Sequence, residues 1–147
     1  MFPIVAVIVI ALDQLSKLWV KNNLFYNSVL ELRFNLFQFH YIHNDGAAFS
    51  SLSGKQTLLI IFTAVLMLII VVYFFYYRKT ISNLEKFSLG LILGGGIGNM
   101  IDRILYSYVI DFVELRFMNF PIFNVADIAI TCGCILFAIT ILFSRKE

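Results

Sequence analysis

Charged side chains are scarce in this chain of 147 residues: Asp, Glu, Lys and Arg make up only 14% of it, whereas 61% is hydrophobic. A soluble domain of this length has so much surface that it needs many more polar side chains. The low charge and the mean hydropathy of +0.89 therefore exclude an ordinary soluble domain and indicate a protein of the lipid bilayer. The net charge of +2 gives no reason to expect nucleic acid as a partner.

Cysteine is nearly absent as well, and the usual metal motifs are missing. Cys132 and Cys134 lie two positions apart in one apolar run, where a helix would point them in different directions. There is no H-E-x-x-H motif, and no P-loop Lys-Ser/Thr follows the glycine-rich segment. His40 and His43 fall in a strand-like stretch, in which residues three apart face opposite ways. We therefore expect no disulfide, no metal site and no cofactor, and we interpret the histidines as interfacial.

The N-terminal apolar run lacks the marks of a cleaved signal peptide. It has no basic beginning and no small-x-small site followed by a soluble domain. The chain also contains no internal repeat, low-complexity tract or second domain. We expect the first run to be retained as a membrane span, and residues 1–147 to form a single integral membrane domain.

Four segments are long and apolar enough to cross a bilayer, and they cover about residues 2–20, 57–77, 87–108 and 124–143. The predicted fold is an all-α membrane protein with four transmembrane helices. Residues 30–43, between the first two spans, alternate roughly in polarity. That alternation predicts a small strand-like region in an extracytoplasmic loop.

Basic residues predict the orientation. Arg78, Lys79 and Lys86 occupy the short connection between the second and third spans, and Arg145 and Lys146 end the chain. Four spans put both places on the same face, and basic residues concentrate on the cytoplasmic side. We therefore expect both termini in the cytoplasm.

Four aspartates should gather near the opposite face. Asp13 lies toward the end of the first span, Asp102 toward the end of the third and Asp127 at the start of the fourth, while Asp111 follows the third span. Alternation of the spans brings them to one interface, whichever way the protein is oriented. An ionisable residue at membrane depth is by default a candidate functional residue.

Glycines in the third span predict tight helix packing. Gly90, Gly94 and Gly98 recur every four residues and therefore share one helix face, along which a neighbouring helix can approach closely. Asp111 is nine residues past Asp102, which is half a turn on a continuous helix. If both serve one site, the helix must break between them, and the segment LYSYV is a plausible place.

The acids permit more than one chemistry. Asp111 and Asp127 are the best-placed pair for an acid dyad, in which one carboxylate activates water while the other, protonated, polarises a carbonyl. Together with Asp102 they can alternatively hold Mg²⁺ for phosphoryl transfer to a lipid. A transporter or assembly factor would use them as a proton path or as partner contacts. Each acid can also be merely a helix cap or the partner of an arginine.

Five short motifs follow one another along the chain. They are DQLSK with Asp13 and Lys17, NDGAAF with Asn44 and Gly46, GGGIGNMIDR, VIDF with Asp111, and FNVAD. Over essentially the whole chain they resemble the lipoprotein signal peptidases (signal peptidase II), which are bacterial membrane aspartyl proteases with four spans.

The resemblance implies that Asp111 and Asp127 are the catalytic dyad of an endopeptidase that removes the signal peptide from prolipoproteins. Such an enzyme cuts before a cysteine that carries diacylglycerol. The expected partners are this lipid-modified precursor and membrane lipids, and the expected enzyme is a monomer in the bacterial cytoplasmic membrane with its site near the extracytoplasmic face. The metal-dependent phosphotransferase remains the alternative. Supporting roles are implied for Asp13, Lys17, Asn44, Gly46, Asn99, Asp102, Arg103 and Asn124.

Two neighbouring pairs suggest what those roles are. Asp13 and Lys17 are four residues apart on a helix, so they can pair and neutralise each other. Asp102 and Arg103 are adjacent and point different ways. We expect Asp102 to brace the outer loops and Arg103 to be free for a substrate carbonyl or phosphate.

Overall fold

A computed structural model describes residues 1–32, 36–46 and 53–144. Several residues used above lie outside these ranges. They are the basic tail residues Arg145 and Lys146, the AAF part of the NDGAAF motif, and residues 33–35 of the predicted strand-like region.

Four helices account for most of the described chain. They are α1 (Phe2–Asn23), α2 (Gln56–Tyr77), α3 (Asn83–Tyr106) and α4 (Val125–Ser144). They agree with the four predicted segments to within a few residues, although α3 begins and ends earlier than expected. By length and composition, three of the helices in the described ranges, α1, α2 and α4, can cross a membrane. The glycines and polar residues of α3 lower its hydropathy. The helix can carry them because they face other helices.

Helix α3 packs closely against α1 along its glycine stripe, as predicted. A Cβ atom on Gly94 would lie 2.7 Å from the Cβ of Val9 and 2.8 Å from the carbonyl oxygen of Ala6. Gly90 is equally close to the backbone of Phe2. Contacts this short leave no room for a side chain, so the two helix backbones lie directly against each other.

Two other glycines of α3 allow α4 and α2 to pack closely against it. A Cβ on Gly95 would collide with the backbone carbonyl of Ala126 in α4, and a Cβ on Gly96 would collide with the side chain of Met67 in α2. Helix α3 is thus the central element of the bundle, with a neighbour on each of three sides.

A three-stranded antiparallel sheet covers one end of the bundle. Strands β1 (Val29–Leu30), β2 (Phe37–Asn44) and β3 (Val109–Leu115) lie in the order β1-β2-β3. The sequence predicted strand structure only between the first two spans, so β3 corrects that prediction. The first four residues of β3 are all buried. The strand therefore lacks the alternation that marks a half-buried strand in the sequence, and it depends on pairing with the distant β2.

Helix α3 ends abruptly before β3, as the positions of Asp102 and Asp111 required. Ser107, in the predicted LYSYV segment, adopts a left-handed conformation with φ 62°, and its N–H donates to the carbonyl of Arg103. The chain then leaves the helix axis, and β3 begins at Val109. Asp111 can therefore face a different direction from the one that a continuous helix would impose.

The N-terminus lies at the end of the bundle away from the sheet. Phe2 stacks on Phe74 near the end of α2, with ring centroids 4.0 Å apart. It also belongs to a buried cluster with Ile81 and Leu89, at the connection of α2 and α3 and the beginning of α3. The sheet instead packs through Ile110 and its neighbours onto the last turns of α1.

We predict that Gly94→Ala destabilises the protein. Alanine in a helix is favoured over glycine by about 1 kcal/mol, but overpacking of a tight contact costs typically about 1–3 kcal/mol. Here the added methyl group meets backbone atoms of Ala6, which cannot rotate away. Thermal unfolding in detergent should show a lower midpoint, whereas Ala11→Val, at an exposed position of α1, should leave it nearly unchanged. A midpoint raised by Gly94→Ala would contradict the close packing.

Candidate active site

A buried lysine joins α1 to α3. Lys17 is 2% exposed, and its Nζ lies 2.8 Å from Asp13 Oδ2, 2.9 Å from Asp102 Oδ2 and 3.1 Å from Asn99 Oδ1. An ammonium group has three N–H donors, so each one has an acceptor. The predicted pair of Asp13 and Lys17 is confirmed, and the structure adds Asp102 as a second carboxylate.

The two carboxylates beside Lys17 also bind the backbone of other elements. Asp13 Oδ1 accepts the N–H of Ala126, in the first turn of α4, at 3.0 Å. Asp102 Oδ2 accepts the N–H of Ile110, in β3, at 3.0 Å. Asp102 therefore braces β3, the strand that follows α3, whereas the sequence analysis expected it to brace the outer loops.

Gln14 is a member of this cluster that the sequence analysis missed. Its Nε2 lies 3.0 Å from Asp102 Oδ1, 3.2 Å from Asp13 Oδ2 and 3.2 Å from the carbonyl oxygen of Gly98. A signal was present, because a side-chain amide in an apolar span needs a partner as much as a carboxylate does. The residue lies between two of the proposed supporting residues in the DQLSK motif.

Asn124 and Asp127 cap the beginning of α4. The Asn124 Oδ1 accepts the N–H of Asp127 at 3.0 Å, and the N–H of Asn124 donates to Asp127 Oδ2 at 3.2 Å. This reciprocal arrangement has the geometry of a capping box. It holds the Asp127 carboxylate in the first turn, where the helix dipole favours a negative charge.

Asp111 is held in β3 by two amides. It is 1% exposed, its Oδ1 accepts from Asn124 Nδ2 at 2.7 Å, and its Oδ2 accepts from Asn44 Nδ2 at 2.9 Å. Asn44 is oriented in turn by the N–H of Gly46, which donates to its Oδ1 at 3.0 Å. Asn124 immediately precedes α4, so its side chain connects the beginning of that helix to the Asp111 carboxylate on β3.

Asn99 connects the lysine cluster to the aspartate pair. Its Nδ2 donates to Asp127 Oδ1 at 2.8 Å, while its Oδ1 accepts from Lys17 Nζ and, at 3.0 Å, from Asn124 Nδ2. Both asparagines therefore contact carboxylates directly. Through them and Arg103, described next, all ten predicted site residues belong to one connected network of hydrogen bonds.

Arg103 joins the network through two backbone carbonyl groups. Its Nη2 donates to the carbonyl of Gly46 at 3.2 Å, and its Nη1 lies 3.5 Å from the carbonyl oxygen of Asn99. Its Nε is buried and has no hydrogen-bond partner within the described part of the chain. A buried donor without a partner is costly, so this N–H is suited to a carbonyl supplied by another molecule.

Burial changes the acidity of Asp111. Removal from water raises the pKa of this carboxyl to about 7, and the nearby charge of Asp127 acts in the same direction. The amides of Asn44 and Asn124 oppose the rise, because they donate hydrogen bonds to the charged form. Asp111 therefore binds a proton at a pH at which an exposed aspartate is fully ionised.

The histidines lie in the sheet, with side-chain partners. His40 Nδ1 is 2.9 Å from Glu114 Oε2, and His43 stacks on Tyr108 with ring centroids 3.8 Å apart. Over residues 1–32, 36–46 and 53–144, no group of three or more His, Cys, Asp and Glu residues has a metal-binding arrangement.

We predict that Lys17→Met strongly destabilises the protein. The substitution leaves two buried carboxylates without their cation, and breaking a buried pair in this way costs about 3–5 kcal/mol. Thermal unfolding in detergent should show a large fall in the midpoint. Lys21→Met, one turn later at an exposed position, is the matched control and should have little effect. Equal midpoints for both variants would mean that the buried cluster is not needed for stability.

Comparisons with known proteins show which family this chain resembles. The model of the family described as Signal peptidase (SPase) II matches residues 5–143. The lipoprotein signal peptidase of Latilactobacillus sakei subsp. sakei (strain 23K) is 39% identical over 146 residues, which cover 99% of this chain and 96% of that protein. That of Streptococcus agalactiae serotype Ia is 42% identical, over 95% of this chain and 90% of that protein.

A solved structure has the same fold. It is a bacterial membrane enzyme determined by the in meso method at 2.3 Å resolution, which superposes with a TM-score of 0.90 at 32% identity and covers 98% of this chain and 90% of that one. The family model and the curated relatives extend over nearly the whole chain. The chain therefore belongs to the signal peptidase II family.

Proposed function

We propose that this chain is an aspartic endopeptidase that removes the signal peptide from prolipoproteins, cutting before a cysteine that carries diacylglycerol. The observation that carries the proposal is the single network in which Asn124 contacts both Asp111 and Asp127. Membership of a peptidase family and relatives named lipoprotein signal peptidase support the substrate class.

The two aspartates have different environments, which suggests different roles. Asp111 is almost fully buried, and its raised pKa of about 7 favours the protonated form, so it is the proposed acid. Asp127 is partly exposed and lies at the positive end of α4, so it is the proposed base. An aspartate pair can share one proton when the surroundings of its two carboxyl groups differ in this way.

The proposed reaction leaves the pair as it began. Asp127 takes a proton from water as the water oxygen bonds to the scissile carbonyl carbon, while Asp111 gives its proton to the carbonyl oxygen. When the tetrahedral intermediate collapses, the C–N bond breaks, Asp127 passes its proton to the leaving nitrogen, and Asp111 regains one from the hydroxyl group. The Nε of Arg103, buried without a partner among the described residues, is the proposed donor to a carbonyl of the peptide.

The proposed topology has four membrane crossings, with α3 as one of them, both termini in the cytoplasm and the site near the outer face. The basic residues Arg78, Lys79 and Lys86 between α2 and α3 support this orientation. Phe2 packs at that same end of the bundle, away from the aspartates. A monomer suffices for the proposed chemistry, because all of the proposed site residues come from one chain.

The alternative, a metal-dependent phosphotransferase acting on a lipid, is less well supported. The matching family model and the relatives described above are those of a peptidase family. Both oxygens of Asp111 accept from amide N–H groups of Asn44 and Asn124, and an oxygen of Asp127 accepts from Asn99. Each of these carboxylate oxygens thus already accepts an N–H, whereas magnesium sites surround the ion with oxygen atoms.

We predict that Asp111→Asn and Asp127→Asn each abolish cleavage. An amide can act neither as the base nor as the acid, and each such function contributes at least about 100-fold to a rate. The measurement is turnover of a lipidated precursor by the purified variants in detergent or nanodiscs. Glu114→Gln, which changes another carboxylate of the same strand, is the matched control and should retain activity.

Two results would contradict this assignment. Substantial turnover by either aspartate variant would remove that residue from the dyad. Activity that is lost on chelation and restored by Mg²⁺ would favour the phosphotransferase reading of the same acids, because two carboxylates and a water need no added ion.

We also predict that kcat/KM falls as the pH rises through about 7. The pKa of Asp111 is raised to about 7, so below this pH Asp111 holds the proton that the mechanism needs, and above it Asp111 loses that proton. The pH profile of kcat/KM reports such groups in the free enzyme. Activity that instead increases through this range would mean that Asp111 must be ionised.

The Asn44→Ala variant makes the same test more specific. The hydrogen bond from Asn44 lowers the pKa of Asp111, so its removal should raise that pKa and move the falling limb to higher pH. A variant with merely distorted structure would lose activity at every pH without moving the limb.

A further inference from the structure

The far end of the sheet carries a group of exposed apolar side chains. Phe117 is 65% exposed, Leu36 62%, Met118 49%, Phe120 46% and Phe37 36%. We call these five residues the outer rim. They lie beyond the site, at the opposite end of β2 and β3 from Asn44 and Val109, and none of them takes part in the proposed chemistry.

The two segments of the outer rim are neighbours along the sheet, although they are distant in sequence. Phe37 pairs with Leu115 in the sheet, and the N–H of Arg116 donates to the carbonyl of Leu36 at 3.0 Å. The ends of β2 and β3 are thereby joined, and Phe117 follows at once.

An aromatic row links the outer rim to the lipid-facing side of α1. Trp19 is half-exposed on α1 and packs edge-on against Phe39, with ring centroids 5.9 Å apart. Phe39 in turn lies 6.2 Å from Phe37 of the rim. Trp19 precedes the end of α1 at Asn23 by four residues, which is about 6 Å along a helix. The sheet therefore reaches down beside the last turn of a membrane-spanning helix.

We propose that the outer rim enters the outer leaflet of the bilayer and anchors the sheet to the lipid. The apolar surface is continuous with that of α1, which the proposed topology places in lipid, and aromatic rings such as Trp19 prefer the depth of the membrane interface. Arg116, whose Nη1 lies 3.6 Å from Glu31 Oε2, and the exposed Asn119 lie beside the rings in the sequence, and both are polar side chains suited to the headgroup region. Water is the less favourable surrounding for so many adjacent apolar side chains.

This anchor would fix the height of the active strand. Strand β3 begins where α3 ends and finishes two residues before Phe117, so Asp111 lies between a helix attachment and a lipid attachment. The inference rests on the proposed membrane topology and is independent of the proposed chemistry.

The chain has a single tryptophan, which permits a direct test. In a Trp19→Phe background, Phe117→Trp and Phe120→Trp each place one fluorophore on the outer rim. The purified proteins are placed in bilayers whose lipids carry bromine either near the carbonyl end or near the methyl end of the acyl chains. We expect blue-shifted emission, quenched more by bromine near the carbonyl end and unchanged when the protein is diluted in lipid.

Two control variants distinguish the possible failures. Phe62→Trp, on the exposed face of α2, should be quenched by lipid bromine if the bundle spans the bilayer, and Lys79→Trp, in the exposed α2–α3 connection, should be quenched least. Rim tryptophans that are quenched no more than Lys79→Trp, while Phe62→Trp is quenched, would overturn the anchor and leave the topology intact. If Phe62→Trp is not quenched, the membrane placement fails and the anchor with it. Quenching that decreases as protein density rises would point to a second copy of the chain on the rim, which also overturns the proposal.

Discussion

The buried ammonium group of Lys17 is the interaction on which the site depends. It lies between Asp13 on α1 and Asp102 on α3, and burying three charges is tolerable only when each has partners in good geometry. The two carboxylates also position other elements, because Asp13 accepts a backbone N–H from the first turn of α4 and Asp102 accepts one from β3. Four elements are thus placed relative to one another by a single cation.

This cluster supports the aspartate pair without belonging to it. Asn99 accepts from Lys17 and donates to Asp127, and Asn124 donates to Asp111. Side-chain amides suit this purpose, because they combine donors and an acceptor without adding charge. Asn124, together with Asn44, also limits how far burial can raise the pKa of Asp111, since a hydrogen bond to the charged form opposes desolvation. Asn124 therefore affects both the position and the acidity of Asp111.

The bundle permits these contacts because α3 has so little bulk at its centre. Without side chains at Gly90 and Gly94, α1 lies directly against α3, and Lys17 can reach Asp102 across the interface. Gly98 is part of the same arrangement, because a Cβ there would lie 2.6 Å from Asp13 Oδ2. The glycines that lower the hydropathy of α3 are thus also the residues that allow polar groups to meet inside an apolar bundle.

The sequence by itself determined the four helices, the convergence of the aspartates at one face, the glycine contact and the pairing of Asp13 with Lys17, because these follow from local periodicity and composition. Only the tertiary structure decided that Asp102 shares Lys17, that Gln14 joins them, and that residues 109–115 form a strand. These features depend on partners far away in the chain: β3 exists through pairing with β2, and its buried first residues carry no alternation. The raised pKa of Asp111 likewise arises from burial and from Asp127, since an aspartate acquires its acidity from its surroundings and not from its neighbours in sequence.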